Sequence, residues 1–259
     1  MARAREAATR AAVAERVVHP AEGAVEEQRP GFQTFASLRH RDYRLLWFGT
    51  LFSSSGQWIQ QVSIGWLTYQ VTGSPLLLGA VNGFRSLPLL FLAPFGGVAA
   101  DRLDRKRLML TTQLFQMTVT AIFATVVITG NAHVWNIILY TLATGVAWAF
   151  NMPVRQSIVP QLVPRADLMN AVALNSMGFN TTRIVGPSLA GLLIAAVGIA
   201  GNFYLQATAY VGVACMIWLM NVPERTTAPS KVSVGRNLQE GALYVWRHPT
   251  LRNQMALAL

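Results

Sequence analysis

From Leu45 onward the chain is a succession of apolar runs, each about 20 residues long, separated by short polar breaks. No other feature of the sequence constrains the fold as much. A helix of about 20 residues crosses a ~30 Å hydrocarbon core. In that core the backbone must satisfy its own hydrogen bonds, so the runs are read as helices. The spans fall roughly at 45–69, 76–99, 108–129, 133–153, 170–197 and 201–221. Turn chemistry marks the gaps: Thr72-Gly73-Ser74-Pro75, Gly130-Asn131, and Gly198 to Asn202. Connections this short make consecutive helices antiparallel neighbours. The expected fold class is an all-α integral membrane bundle of six helices, occupying residues 37–221.

The placement of charge orients the bundle. Charged residues make up 12% of the 259 residues and apolar ones 53%, against about 25% charged in a soluble domain. A net charge of +10 would on its own suggest a nucleic-acid binder. Its distribution follows the membrane pattern instead, and no nucleic-acid partner is expected. Arg39, Arg41 and Arg44 precede the first span, and Arg102, Arg105, Lys106 and Arg107 fill the second loop. Arg155 and Arg165 fall in the fourth loop, and Arg225, Lys231 and Arg236 follow the sixth span. The first, third and fifth loops carry no Lys or Arg. Cytoplasmic loops are the basic ones, so the chain reads as multi-pass with both ends in the cytoplasm.

The flanks differ from the bundle. Residues 1–36 hold Arg3, Arg5, Arg10, Arg16 and Arg29 among glutamates. They contain no early apolar stretch of the kind a secretory signal needs. They read as a disordered cytoplasmic tail. Residues 222–249 read as a central cytoplasmic loop. Within it, 236–248 has Leu238, Ala242, Val245 and Trp246 on one helical face, which suggests an interfacial helix ended by Pro249. Residues 250–259 look like the start of a seventh helix, interrupted, so the chain is expected to be the first part of a longer protein. Cys215, alone in its apolar run, reads as a small buried hydrophobe.

Polar groups at membrane depth carry the functional signal. The spans as drawn contain two charges, Arg85 and Arg183, and no Asp or Glu. Intramembrane charge is costly and marks function by default. These arginines face a water-filled cavity, bond backbone carbonyls, pair with a carboxylate beyond this chain, or bind an anionic substrate. In the first span Ser53, Ser54, Gln57, Gln60 and Gln61 fall within about 120° of the helix circumference. Trp58, Ile59, Val62 and Trp66 fall on the other side. Amides this dense meet a cavity or other helices, because hydrocarbon offers them no partner. Asn82, Gln113, Gln116, Asn151, Asn175, Asn180 and Gln206 extend the same inventory. Pro88, Pro94 and Gly186-Pro187 bend their helices, and Gly178, Gly186, Ala190 and Gly191 permit close helix contact. Residues 82–88 (NGFRSLP) and 178–187 (GFNTTRIVGP) each run Gly-Phe, Arg, Pro in the middle helix of a trio. An inverted 3+3 repeat would give that arrangement.

Residues 96–107, GGVAADRLDRKR, resemble the signature loop of the major facilitator superfamily: Gly97, three residues, Asp101, then the basic cluster Arg102, Arg105, Lys106 and Arg107. The superfamily often has a second glycine where this chain has Asp104. The form found here is similar to the transmembrane secretion effector branch, which includes enterobactin-exporter-like and macrolide-efflux-like proteins. The stretches 42–81, 151–176 and 244–252 agree with that branch. So does TTRIVGPSLAGLL at 181–193, which resembles the Gly-Pro antiporter motif with Gly186, Pro187 and Gly191 in place. The resemblance covers residues 37–259. It implies twelve spans in two six-helix bundles, alternating access to a substrate held between them, and a location in the bacterial cytoplasmic membrane. It also implies a cytoplasmic gate built on Gly97, Asp101 and the basic cluster. Many drug exporters carry an arginine in the fourth span, where this chain reads TLATGVAWAF. A coupling acid would accordingly lie at Asp101 or outside this chain.

The expected function is a secondary active transporter, a proton-coupled exporter of small amphiphilic compounds of drug or siderophore type. The substrate cavity is assigned to Gln57, Gln60, Gln61, Arg85, Asn180 and Arg183. The expected partners are a small-molecule substrate, membrane lipid, protons, and either a second six-helix bundle or a homodimer mate. A non-transporting scaffold or sensor on the same fold is the alternative. His19, His40, His133 and His248 are scattered. No metal-ligand spacing, nucleophile with a base, or phosphate-cradling loop is visible, so neither an enzyme nor a metal, cofactor or ATP site is expected.

Overall fold

The structure is a computed structural model that describes residues 35–222. Most of the expected tail, the central loop from residue 223 with its helix at 236–248, and the stretch 250–259 lie outside the described residues.

All regular structure among the described residues is helical. A 3-10 turn at Ala36–Arg39 leads into α1 (Arg41–Thr72), followed by α2 (Pro75–Arg102), α3 (Arg105–Ile128) and α4 (Val134–Leu162). A second 3-10 turn, Arg165–Asp167, opens α5 (Leu168–Leu219). The boundaries have local causes. Gly73 ends α1 at φ 62, a left-handed geometry that suits glycine. Ser74 caps α2 by accepting from the Leu77 N–H, with Pro75 in the first turn. Asp104 caps α3, its carboxylate accepting from the Arg107 N–H at 3.0 Å. The helices α2, α3, α4 and α5 are long and apolar enough to cross a membrane. Helix α1 has the length, 32 residues, but its polar stripe takes the place of apolar residues.

Helix α5 holds 52 residues, which would extend about 78 Å if straight. It is not straight: Gly198, at φ 74 and ψ 175, breaks it. The contacts of the two arms with α1 give their directions. In the N-terminal arm (168–197), Leu174 meets Trp47, Gly178 meets Leu51 and Gly186 meets Trp58, so this arm runs parallel to α1. In the C-terminal arm (199–219), Asn202 meets Ser63, Gln206 meets Gly56 and Val213 meets Gly49, so this arm runs the opposite way.

Two expectations are corrected. First, consecutive helices are not the main neighbours. Helix α1 packs chiefly on α5, α2 on α4, and α3 on α5 and α4. A short turn fixes direction, but the complementary face chooses the partner. Gly96 lies against the Ala149 carbonyl of α4, and Gly145 against the Arg85 carbonyl and Pro88 of α2. Pro153 has no N–H to give the Ala149 carbonyl, and it is against this carbonyl that a side chain at Gly96 would collide. Gly96 thus makes the close approach within this bundle, whereas Gly97 faces open space. Second, α4 runs to Leu162 rather than to 153, with Pro153 and Pro160 inside it. Arg155 is therefore not a loop residue. It sits in the helix, away from its ends, and is 8% exposed, and so joins Arg85 and Arg183 as a third arginine more than a turn from either helix end.

Apolar clusters close the two ends of the bundle. One gathers Tyr43, Met109, Ile158, Leu174 and Ile217. The other gathers Ile64, Val81, Phe123, Ile137, Tyr140 and Phe203. In the latter the rings of Phe123 and Tyr140 stack at 4.1 Å, and Phe203 meets both edge-on at 5.0 and 5.6 Å. Among the described residues, every Lys and Arg outside the helix interiors lies at the first end.

Candidate functional site

Between the two apolar ends lies a polar layer. Helix α1 supplies Ser53, Gln57, Gln60 and Gln61. At the same level α2 brings Arg85, α3 Gln116, α4 Thr144 and Trp148, and α5 Tyr210. Three of the expected residues, Gln57, Gln60 and Arg85, line one cavity of about 20 Å³ with Ser53, Gln116, Thr144, Trp148 and Tyr210. That is room for about one water.

Hydrogen bonds knit the layer across helices. The Gln60 amide donates to the Thr144 hydroxyl at 3.2 Å. The Gln206 amide donates to the Gly56 carbonyl and the Gln60 Oε1, both at 2.9 Å, and reaches the Tyr210 hydroxyl at 3.1 Å. Arg85 Nη1 donates to Gln61 Oε1 at 3.0 Å. Gln61 therefore acts as the partner of Arg85 and is not among the lining residues. Asn202 donates to the Ser63 hydroxyl at 2.6 Å, and Asn151 to Thr112 at 2.8 Å. The α1 stripe thus serves both helix contact and cavity lining. Arg85 meets no carboxylate within ion-pairing distance among the described residues.

A second, larger cavity of about 480 Å³ opens beside the first, and Trp148 lines both. Its wall includes Ser54, Met152, Arg155, Asn175, Phe179 and Asn180. Asn180 is placed here, on an exposed face of the N-terminal arm of α5. Arg183 lines neither cavity. It is exposed one turn further on, with its guanidinium 5.8 Å from the centre of the Trp58 ring, within cation–π reach.

The motif residues fall at two places. Arg105, at the end of α2's loop, donates from Nε to the Ala100 carbonyl at 3.2 Å and from Nη1 to the Ser157 carbonyl at 3.3 Å, tying α2 to α4. Arg107 meets Asp104 at 3.7 Å with both side chains mostly exposed, a pair that contributes little. Asp101 and Arg102 form the last turn of α2 with exposed side chains, and Lys106 is half-buried. In α5, Gly186 lies against Trp58 with Pro187 beside it, while Gly191 meets nothing within contact distance.

Sequence reasoning placed Arg155 in the fourth loop because the span was drawn only to residue 153. The signal was present: Asn151, Arg155, Ile158, Val159 and Leu162 recur at helical spacing, and all are buried. Tyr210 was also missed. A tyrosine in an apolar run gives no pattern of its own.

Known proteins place this arrangement. The transmembrane secretion effector family matches residues 32–259. The staphyloferrin A transporter of Staphylococcus aureus is 33% identical over 165 residues, 61% of this chain and 42% of that protein. The multidrug efflux pump Tap of Mycolicibacterium fortuitum is 30% identical over 222 residues, 80% of this chain and 53% of that protein. The MFS-type transporter YfiS of Bacillus subtilis is 27% identical over 204 residues, 77% of this chain and 48% of that protein. This chain spans about half the length of the curated relatives it matches. These relatives are transporters and not enzymes. With a family match that runs from before α1 to its last residue, the chain belongs to the transmembrane secretion effector family of the major facilitator superfamily.

Proposed function

We propose that residues 37–221 form the first six-helix bundle of a secondary active transporter, which exports small amphiphilic compounds from a bacterial cell by alternating access and proton coupling. The observation that carries this reading is the polar layer. Arg85, Gln57, Gln60 and Tyr210 converge at mid-height between two apolar clusters. A bundle that only had to span the bilayer would gain nothing from placing a guanidinium there.

Six crossings follow if α1 and the two oppositely directed arms of α5 each count as one. An inverted repeat is supported by matching pairs. Helix α2 runs parallel to α4, and the N-terminal arm of α5 runs parallel to α1, each pair meeting at a glycine: Gly145 on Pro88, Gly186 on Trp58. The basic end holds Arg39, Arg41, Arg44, Arg102, Arg105, Lys106, Arg107 and Arg165, which supports a cytoplasmic N-terminus. Ser176, Asn180 and Arg183 fall within about 60° on the exposed face of α5. Such groups do not face lipid, so this face meets a second bundle or a second copy, with substrate between them. Gly97 and Asp101 would then act against that partner.

The direct test is accumulation of fluorescent amphiphiles, ethidium among them, in cells making the protein at its native length. Lower accumulation than in empty cells, reversed by a protonophore and by Arg85→Gln, is the expected result. Equal accumulation with and without the protein would end the exporter reading. Topology is tested by cysteines placed singly in a Cys215→Ala background. Those replacing Gly73 or Asn131 should react with an impermeant reagent from outside, and one replacing Lys106 should not. The reverse pattern would invert the orientation.

A further inference from the structure

We propose that Arg155 recognises an anionic group, a carboxylate or another flat oxyanion, on the transported amphiphile, and that this end of the substrate sits in the 480 Å³ cavity. The proposal rests on the transporter reading above and names the substrate class for it.

The fold contains its own standard for a structural arginine. Arg105 spends its donors on two backbone carbonyls, at 3.2 and 3.3 Å. Arg155 does not. It is 8% exposed, and its one hydrogen bond among the described residues is a long one, Nη2 to the Ser53 hydroxyl at 3.4 Å. Its Nε is buried with no hydrogen-bond partner among the described residues. No carboxylate lies within ion-pairing distance of it among the described residues. A hydroxyl does not neutralise a guanidinium. A charge withdrawn from water with one weak contact is costly. It is most readily explained by an opposite charge that arrives from elsewhere.

The surroundings define that visitor. Arg155 lies on the wall of a cavity large enough for a drug-sized molecule. Its planar fork of donors matches a carboxylate in bidentate fashion. Asn175, on the same wall, has a buried Oδ1 without a hydrogen-bond partner among the described residues. That oxygen accepts from a hydroxyl or N–H of the same ligand. Trp148, Met152 and Phe179 supply apolar surface for its body. The ligand is therefore an organic anion with a hydrogen-bond donor and an apolar or aromatic part. Neither of the other two arginines competes for this role. Arg85 is already bonded to Gln61 beside a cavity with room for about one water. Arg183 stands outside both cavities.

The test compares a hydroxycoumarin carboxylate with its neutral carboxamide, two fluorescent probes of nearly equal size. Efflux of each is followed from preloaded cells that make the full-length protein, with ethidium as a cationic reference. In R155Q, carboxylate efflux should fall at least about tenfold, with carboxamide efflux within about twofold of the parent. R155K keeps the charge without the fork and should fall between them. Should R155Q fail to reach the membrane, R155K decides alone: selective loss of the carboxylate supports the proposal, and unchanged carboxylate efflux overturns it. Parallel loss of both probes in R155Q and R155K, or carboxylate efflux untouched in R155Q, also overturns it. A parent protein that expels ethidium or the carboxamide but not the carboxylate removes the anion site and leaves the transporter reading intact. A parent that expels none of the three removes the transporter reading itself, and this proposal with it.

Discussion

The two arms of α5 both carry polar residues along an apolar helix, yet they use them in opposite ways. In the C-terminal arm Asn202, Gln206 and Tyr210 all point inward, are buried, and are joined by hydrogen bonds to each other or to α1. In the N-terminal arm Ser176, Asn180, Thr181, Arg183 and Ser188 are exposed, and the contact with α1 is made by Gly178 and Gly186. The C-terminal arm meets α1 through its own polar side chains, the N-terminal arm through glycines and through the Ala171 and Leu174 carbonyls, which accept from Tyr43 and Trp47. A helix that packs through glycine leaves its remaining faces free for other work. The exposed polar residues of the N-terminal arm are thus surplus to this bundle, whereas Asn202, Gln206 and Tyr210 of the C-terminal arm are part of what holds it together.

The largest effect expected from breaking this comparison is at Gly186. A Cβ there would lie 2.6 Å from the Cβ of Trp58. No rotamer moves a Cβ, so the arm must separate from α1. Gly186→Val should cost about 1–3 kcal/mol, read as a lower melting temperature of the purified protein in detergent. Gly178 is the control. Its nearest obstacle, at 2.9 Å, is the Cδ2 of Leu51, the far end of a flexible side chain, so Gly178→Ala should cost less. Gly191, with nothing near it, should tolerate alanine with no change in melting. Equal tolerance at all three positions would show that the arm is not seated by its glycines.

The C-terminal arm gives the next effect. Gln206→Leu removes the donor to Gln60 and to the Gly56 carbonyl while keeping most of the side-chain volume. Interhelical hydrogen bonds in membranes average about 0.6 kcal/mol and reach about 1.7, so a loss of about 1 kcal/mol is expected in the same melting experiment. Gln60 would also lose the partner that fixes its amide beside the small cavity, and transport should fall with it. No loss of stability would mean that the polar layer contributes to transport without holding the helices.

How much of this was legible in the sequence follows from what each residue had to reveal. The helices were legible because apolar runs and turn residues are local signals. Gly73 and Pro75 mark a boundary wherever they stand. The polar stripe of α1 was legible because period alone places Ser53, Gln57 and Gln60 on one face. Helix partners were not legible: whether α1 sits on α2 or on α5 depends on Gly178 and Gly186 meeting Leu51 and Trp58, a match between distant segments. The end of α4 was misread because the span was drawn only to residue 153; the carbonyl that Pro153 frees meets Gly96 on another helix. Because α4 continues through Pro153, Arg155 belongs to the helix and not to a loop. Arg183 illustrates the converse. Its depth was read from the sequence, but only the structure separates it from the cavity that holds Arg85.

The smallest effect on stability, and the sharpest on the comparison, is expected at Arg183. Among the described residues its one recorded partner is the face of Trp58, at 5.8 Å, and exposed pairs of this kind contribute about 0.5–1 kcal/mol. If the N-terminal arm's polar residues are surplus to the bundle, Arg183→Gln should melt within about 0.5 kcal/mol of the parent while slowing efflux of ethidium or of the coumarin probes. Glutamine keeps the polarity of the face and removes only the charge, so packing on α1 is untouched and whatever the charge meets beyond this exposed face is lost. A variant that melts early and transports normally would reverse the assignment. Arg183 would then belong with the structural groups of the C-terminal arm, and the difference between the arms would lie in exposure alone.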